Sequence, residues 1–243
     1  MTKKNQKIET EIKKDLKKLK IEDKESYEAI LNILKVFSFN KIINYYNGLH
    51  LLTLFLFSLS HNEAEVFIII NNLFYFSGLK FIIENDFKKL EIYYYIIDRL
   101  IFLYLPRIHS HFKDHQIKIK KFIGPYLLNL FTNIYPYLPD NNVKFLLYVW
   151  DSYIFDGWNN IFEIILTIFK YLEKNILSLK GNELRNYLKF DLVKCEIFLD
   201  NKFEEFCELN KLFKLKKELI DILKEEISFE KDINSLGEKI NSC

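Results

Sequence analysis

Apolar residues recur at helical spacing along most of the chain. Residues 8–19 place Ile8, Ile12, Leu16 and Leu19 about one turn apart, and residues 26–39 do the same with Ile30, Ile33, Leu34 and Phe37. Ser26 stands where a helix N-cap is expected. From Gly48 to Leu59 nearly every position is apolar, as in a helix buried on all sides. The runs Ile68-Ile69-Ile70 and Tyr93 to Ile97 favour strand taken alone, but their apolar windows are too long for single strands, so helix is predicted. Residues 140–180 predict two helices joined at Asp156-Gly157. Past Glu183, Leu212, Leu215, Leu219, Ile222 and Leu223 predict one amphipathic face. That pattern fails at Glu226, which predicts docking on the domain rather than a coiled coil.

All four prolines fall between Pro106 and Pro139, so both flanks are free to form long helices. The expected architecture is an all-α, multi-helix bundle over residues 8–225, between tails at 1–7 and 226–243, with no sheet of three or more strands. Its 23 Phe and 15 Tyr against one Met require a core of large flat rings. With 35 basic and 33 acidic residues the net charge is +2, too balanced to attract nucleic acid. The Lys-rich stretch from Lys3 to Lys24 is interleaved with Glu9, Glu11, Asp15, Glu22, Asp23 and Glu25, the pattern of a solvated face.

Cys195, Cys207 and Cys243 have neither metal nor redox spacing, which points to a reduced, intracellular protein. The N-terminus lacks the apolar core of a secretory signal. The stretches 49–59, 66–83 and 92–105 are too short to span a bilayer or are broken by Asn71, Asn72, Lys80, Asp98 and Arg99, so no transmembrane segment is expected. His111 and His115 share a helical face near His109, but no Glu completes a zinc-protease signature. Structural histidines, no metal and no cofactor are expected. No Gly-rich phosphate loop or nucleophilic triad is present.

The most informative residues lie between 124 and 158. Pro125 to Thr132 reads Pro-Tyr-Leu-Leu-Asn-Leu-Phe-Thr, Tyr148 to Asp151 reads Tyr-Val-Trp-Asp, and Asp156-Gly157 precedes an apolar helix at 161–169. Leu105-Pro106 and Phe112 stand upstream. In this order the segments resemble the TBC domain, the helical module that accelerates GTP hydrolysis on Rab-type GTPases. The resemblance covers residues 8–180 and makes Pro125, Trp150 and Gly157 structural. Trp150 carries an N–H that needs an acceptor when buried. Asp151 is expected to cap a helix or hold a partner.

The resemblance also implies two chemical fingers. A GTPase activator stabilises the spreading phosphoryl charge with a guanidinium in trans, worth roughly 10³ to 10⁵ in rate. The family supplies Arg from Ile-x-x-Asp-x-x-Arg and Gln from Tyr-x-Gln-Gly. Here the second motif is Tyr45-Tyr46-Asn47-Gly48, with Asn47 at the Gln position and Tyr45 and Gly48 as partner-binding residues. Asn is one methylene short, about 1.5 Å, and a misplacement of about 1 Å can cost roughly a hundredfold. The first motif reads Ile8-Glu9-Thr10-Glu11-Ile12-Lys13-Lys14, with Lys14 at the Arg position. Lysine lacks the planar fork that grips two phosphate oxygens. A motif starting at residue 8 would leave the family's preceding helices missing, replaced or supplied by a partner.

Three functions fit: an attenuated activator that binds a Rab-type small GTPase, a helical subunit of a larger assembly, or an active but slow Rab activator. The expected location is intracellular, cytoplasmic or peripheral to an organelle membrane, in vesicle trafficking.

Overall fold

The computed structural model describes residues 3–19, 21–39, 44–87, 89–140 and 142–227, with backbone only at 84–86, and among them there is no strand. Helix α1 (Lys3–Leu16) begins ahead of the boundary expected at residue 8 and buries Ile12 and Leu16 against α2 (Lys24–Phe39). The cap of α2 is Asp23, not Ser26: the Asp23 carboxylate accepts the Ser26 N–H at 2.7 Å. That N–H is one of the orphan donors of the first turn, and only a side chain three residues ahead can reach it.

Helix α3 (Leu49–Ser60) is the internal helix its composition predicts, with Leu49, Leu52, Phe55 and Leu56 buried. Phe55 meets Tyr135 at 5.4 Å and Trp150 at 5.5 Å, so α3 joins the N-terminal helices to the rest. In α4 (Glu63–Tyr75), capped by Asn62, the Ile68–Ile70 run splits by helical position: Ile70 is buried and Ile68 exposed. Helices α5 (Lys80–Phe87) and α6 (Leu90–Tyr104) follow, and the Tyr93–Ile97 run is helical within α6.

Next come α7 (Pro106–Asp114), α8 (Gly124–Leu128), α9 (Lys144–Asp156) and α10 (Trp158–Tyr171). The α9–α10 hinge is the expected Gly157, at φ 66° and ψ −139°, a conformation that side chains resist. Helix α10 is the C-terminal core, burying Ile161, Phe162, Ile165 and Phe169 among α6, α9 and α13 (Phe203–Asn210). Between α10 and α13 lie α11 (Glu173–Ser178), α12 (Gly181–Asn186), a π-helical turn (Tyr187–Asp191) and short 3-10 turns.

The single face expected from Leu212 to Leu223 is not there. Residues 211–216 leave the helix, so periodicity cannot connect the two sides: Leu212 and Ile222 are exposed, whereas Leu215, Ile220, Leu223 and Ile227 are buried. The helix over 217–227 docks on the domain, where Arg99 of α6 pairs with Glu226 at 3.2 Å. The proposed boundary at 225–226 therefore cuts through a packed helix, and residues 228–243 of the C-terminal tail lie outside the described residues.

Trp150 is 6% exposed on α9, and its indole N–H donates to the Leu130 carbonyl at 3.1 Å. Leu130 and Phe131 both have positive φ, 45° and 65°, which costs non-glycine residues roughly 1–2 kcal/mol each. Trp150 is one of the contacts that hold this turn. In urea unfolding, Trp150→Ala should lose roughly 3–5 kcal/mol. Phe155→Ala, on the same helix but 89% exposed, should stay within about 0.5 kcal/mol.

Candidate functional site

The site forms where the loop before α3 meets the turn after α8. Gly48 has φ 122°, and a Cβ built on it would fall 2.2 Å from the Asn129 Oδ1. Glycine is required there for both conformation and space. Beside it the Tyr46 hydroxyl donates to the Leu128 carbonyl at 3.1 Å, and the Tyr46 ring leans on Phe74 and Phe87. The two sequence segments are thus pressed together, with Asn129 buried between them. Asn47 turns outward and is exposed, flanked by the buried Tyr46 and Gly48.

A polar cluster ties this loop to α1. The Tyr45 hydroxyl donates to Asp15 Oδ2 at 3.0 Å, and Lys18 donates to Asp15 Oδ1 at 2.6 Å. His50, 4% exposed, places Nδ1 3.2 Å from the Tyr45 oxygen and 3.4 Å from the Gly48 N–H. Nδ1 donates to the tyrosine when it carries the proton and accepts from Gly48 when it does not. Burial alone would raise the Asp15 carboxyl, but the hydrogen bonds from Lys18 and Tyr45 outweigh it and hold Asp15 below the usual range. Burial lowers His50 to about 4 against the pull of Asp15, so the ring is neutral at pH 7. Burial and the Asp15 charge push the Tyr45 phenol up, keeping it a donor.

The candidates are distributed unevenly over this geometry. Tyr45, Asn47 and Gly48 are together. Lys14 is exposed on α1 with no partner among the described residues, and Glu11 is exposed as well. One turn further on, the same spacing recurs as Ile12, Asp15 and Lys18. Ile12 is fully buried, Asp15 is bonded to the tyrosine of the other motif, and Lys18 is 58% exposed at its side chain. The signal for this register was in the sequence: an Asp at the centre of the string, where the Ile8 register has Glu11.

Asp151 does not cap a helix, since α9 runs through it; its carboxylate sits on the exposed side. Pro125 opens α8, where its missing N–H costs no helical bond. His111 lies 2.8 Å from the Leu179 carbonyl, a packing role, and its ring meets His115 edge-on. No described helix is long and apolar enough to cross a membrane.

The all-helical bundle, with its Tyr45–Gly48 loop packed on the turn that Trp150 braces, agrees with the fold that the resemblance implies. The chain belongs to the Rab-GTPase-TBC domain family, whose model matches residues 1–177. Human TBC1 domain family member 2A is 36% identical over 87 residues, 35% of this chain and 9% of that protein. The Caenorhabditis elegans Rab GTPase-activating protein tbc-11 is 22% identical over 166 residues, 68% of this chain and 17% of the relative. The chain therefore spans a small fraction of the length of these curated relatives. The crystal structure of the Chlamydomonas flagellar RabGAP TBC domain shares the fold, with TM-score 0.65 and 18% identity over 83% of this chain and 66% of that one.

Two outcomes follow from the cluster. His50 binds its proton more weakly folded than unfolded, since its value falls from 6.5 to about 4. Its stabilising contribution is complete above pH 6.5 and is lost as pH falls toward 4, by at most on the order of 3 kcal/mol. Asp15, also lowered, acts in the same direction at still lower pH. Thermal melts across this range should show Tm falling, with a shallower slope in His50→Asn. Gly48→Ala should destabilise by roughly 1–3 kcal/mol by driving a methyl into Asn129; an unchanged urea midpoint would mean the loop is free to move away.

Proposed function

We propose that this domain docks on a Rab-type small GTPase through the face bearing Asn47 and Lys18 and accelerates GTP hydrolysis weakly. The observation that carries the reading is the outward, exposed Asn47 between buried neighbours, on a loop bonded through Tyr45 and Asp15 to Lys18. The Asn47 amide is thereby available to a partner at a position fixed by its buried neighbours. We assign the Arg-finger position to Lys18 rather than Lys14, because Lys18 completes a string anchored by buried Ile12 and by Asp15.

Attenuation follows from chemistry. Lys18 is already paired with Asp15 at 2.6 Å and must leave it, or share its charge, to meet a phosphate. Its ammonium offers no planar fork to bridge carboxylate and phosphate together, as a guanidinium does. Asn47 carries the amide that orients water, but on a shorter arm. The domain then acts chiefly by binding, at the cytoplasmic surface of organelle membranes where Rab traffic runs. A supplementary scaffolding role is favoured by α9, which exposes Leu147, Ile154 and Phe155 around Asp151.

Single-turnover GTP hydrolysis by a panel of Rab proteins tests the assignment. Wild-type protein should stimulate little, and Lys18→Arg with Asn47→Gln should raise the rate by roughly tenfold or more, beyond the product of the single changes. Both positions are exposed, so neither change should perturb folding. Strong wild-type stimulation abolished by Lys14→Ala but not by Lys18→Ala would return the finger to Lys14 and refute attenuation. Absence of binding to any GTP-locked Rab would refute the docking itself.

A further inference from the structure

Away from the finger loop, the segment leading into α8 and the π-helical turn after α12 enclose a cavity of about 480 Å³. That size lies within the range of small-molecule sites, roughly 300–1,000 Å³. Its rim carries Lys118, Lys121, Arg185 and Lys189, and no carboxylate lines it. Its floor is apolar and fixed: Phe122 and Leu188 are buried, and Phe122 is wedged edge-on between Phe112 and Phe169. Phe190, 54% exposed, forms part of the wall.

The rim charges are not neutralised by carboxylates among the described residues, although Lys189 Nζ lies 4.9 Å over the Phe190 ring. Neighbouring Lys120 pairs with Glu91 at 3.6 Å, but Lys118, Lys121 and Lys189 have no carboxylate partner among the described residues. Arg185 is oriented by two bonds of 2.9 Å, to the His115 carbonyl and Asn182 Oδ1, neither of which neutralises it. Four like charges around one cavity repel one another, a cost that an anionic occupant removes. Two uncommon backbone features meet at the same place. Gln116 on the lip has φ 54°, and Leu188, Lys189 and Phe190 belong to the π-helical turn Tyr187–Asp191. Such departures persist where surrounding structure holds them and concentrate at binding sites.

The geometry points to a binding site for a multiply phosphorylated polyol head group, with lysines and arginine gripping the phosphates and the apolar floor taking the ring or an attached chain. The ligand comes either as a free inositol phosphate or as the head of a phosphoinositide in a bilayer. This site shares no residue with the finger loop, so it stands or falls independently of the GTPase reading.

The test uses the full chain. Calorimetry with inositol trisphosphate measures the free source, and co-sedimentation with phosphatidylcholine vesicles carrying phosphatidylinositol bisphosphate measures the lipid source. Saturable binding in either assay is expected. It should weaken at least about tenfold in Lys118→Glu/Lys121→Glu and, on a separate element, in Lys189→Glu, with helical circular dichroism retained. Lys216→Glu, outside the cavity, should bind as wild type. Binding of the soluble head group identifies the free source, and binding of vesicles alone identifies the lipid. No binding in either assay, binding unchanged in all the cavity variants, or equal binding to phosphatidylserine vesicles of matched charge would overturn the proposal.

Discussion

The close approach of Gly48 to Asn129 is the contact on which the rest of the site depends. It is possible only because position 48 has no Cβ: any side chain would enter the Asn129 amide. With that space kept, Tyr46 reaches the Leu128 carbonyl, Asn47 is turned to solvent and α3 starts in register beneath the α8 turn. The turn itself contains two residues at positive φ and is held from the far side by the Trp150 N–H. A loop between helices near the start of the chain and a helix a hundred residues later thus brace one short segment from opposite sides.

Electrostatics sets the limits of what that braced site can do. Asp15 is buried, ionised and bonded to both Tyr45 and Lys18. It ties α1 to the Tyr45–Gly48 loop, and in doing so it holds Lys18, the cation we propose at the Arg-finger position. Lys18 is 58% exposed at its side chain, so it can swing out to solvent, while Asp15 keeps the bond from Tyr45. What Lys18 lacks is the geometry to serve two oxyanions at once. His50 completes the cluster as a neutral ring, which avoids placing a second buried charge beside Asp15.

Much of the fold was legible because helices advertise themselves locally. The α9–α10 hinge at Gly157 and the internal α3 follow from residue type and periodicity. Legibility failed where the deciding neighbour was not local. The α2 cap went to Asp23 because capping depends on which carboxylate reaches which N–H. The C-terminal face broke at 211–216, and periodicity has no meaning across a change of chain direction. Lys14 on α1 and Lys18 in the turn just after it satisfy the same spacing; Asp15 at the centre of the second string favours Lys18, and burial of Ile12 and the bond from Tyr45 place that string beside the loop.

By itself, then, the sequence determined that this chain is helical, which helices are internal, and that it carries strings resembling two finger motifs; each depends on residue type and spacing of a few positions. Tertiary structure decided that Lys18 stands beside the Tyr45–Gly48 loop, that Asn47 faces outward while its neighbours are buried, and that Lys118, Lys121, Arg185 and Lys189 surround one cavity. These are facts of distance between segments far apart along the chain. No periodicity encodes them, because they arise only when packing of the apolar faces brings those segments together.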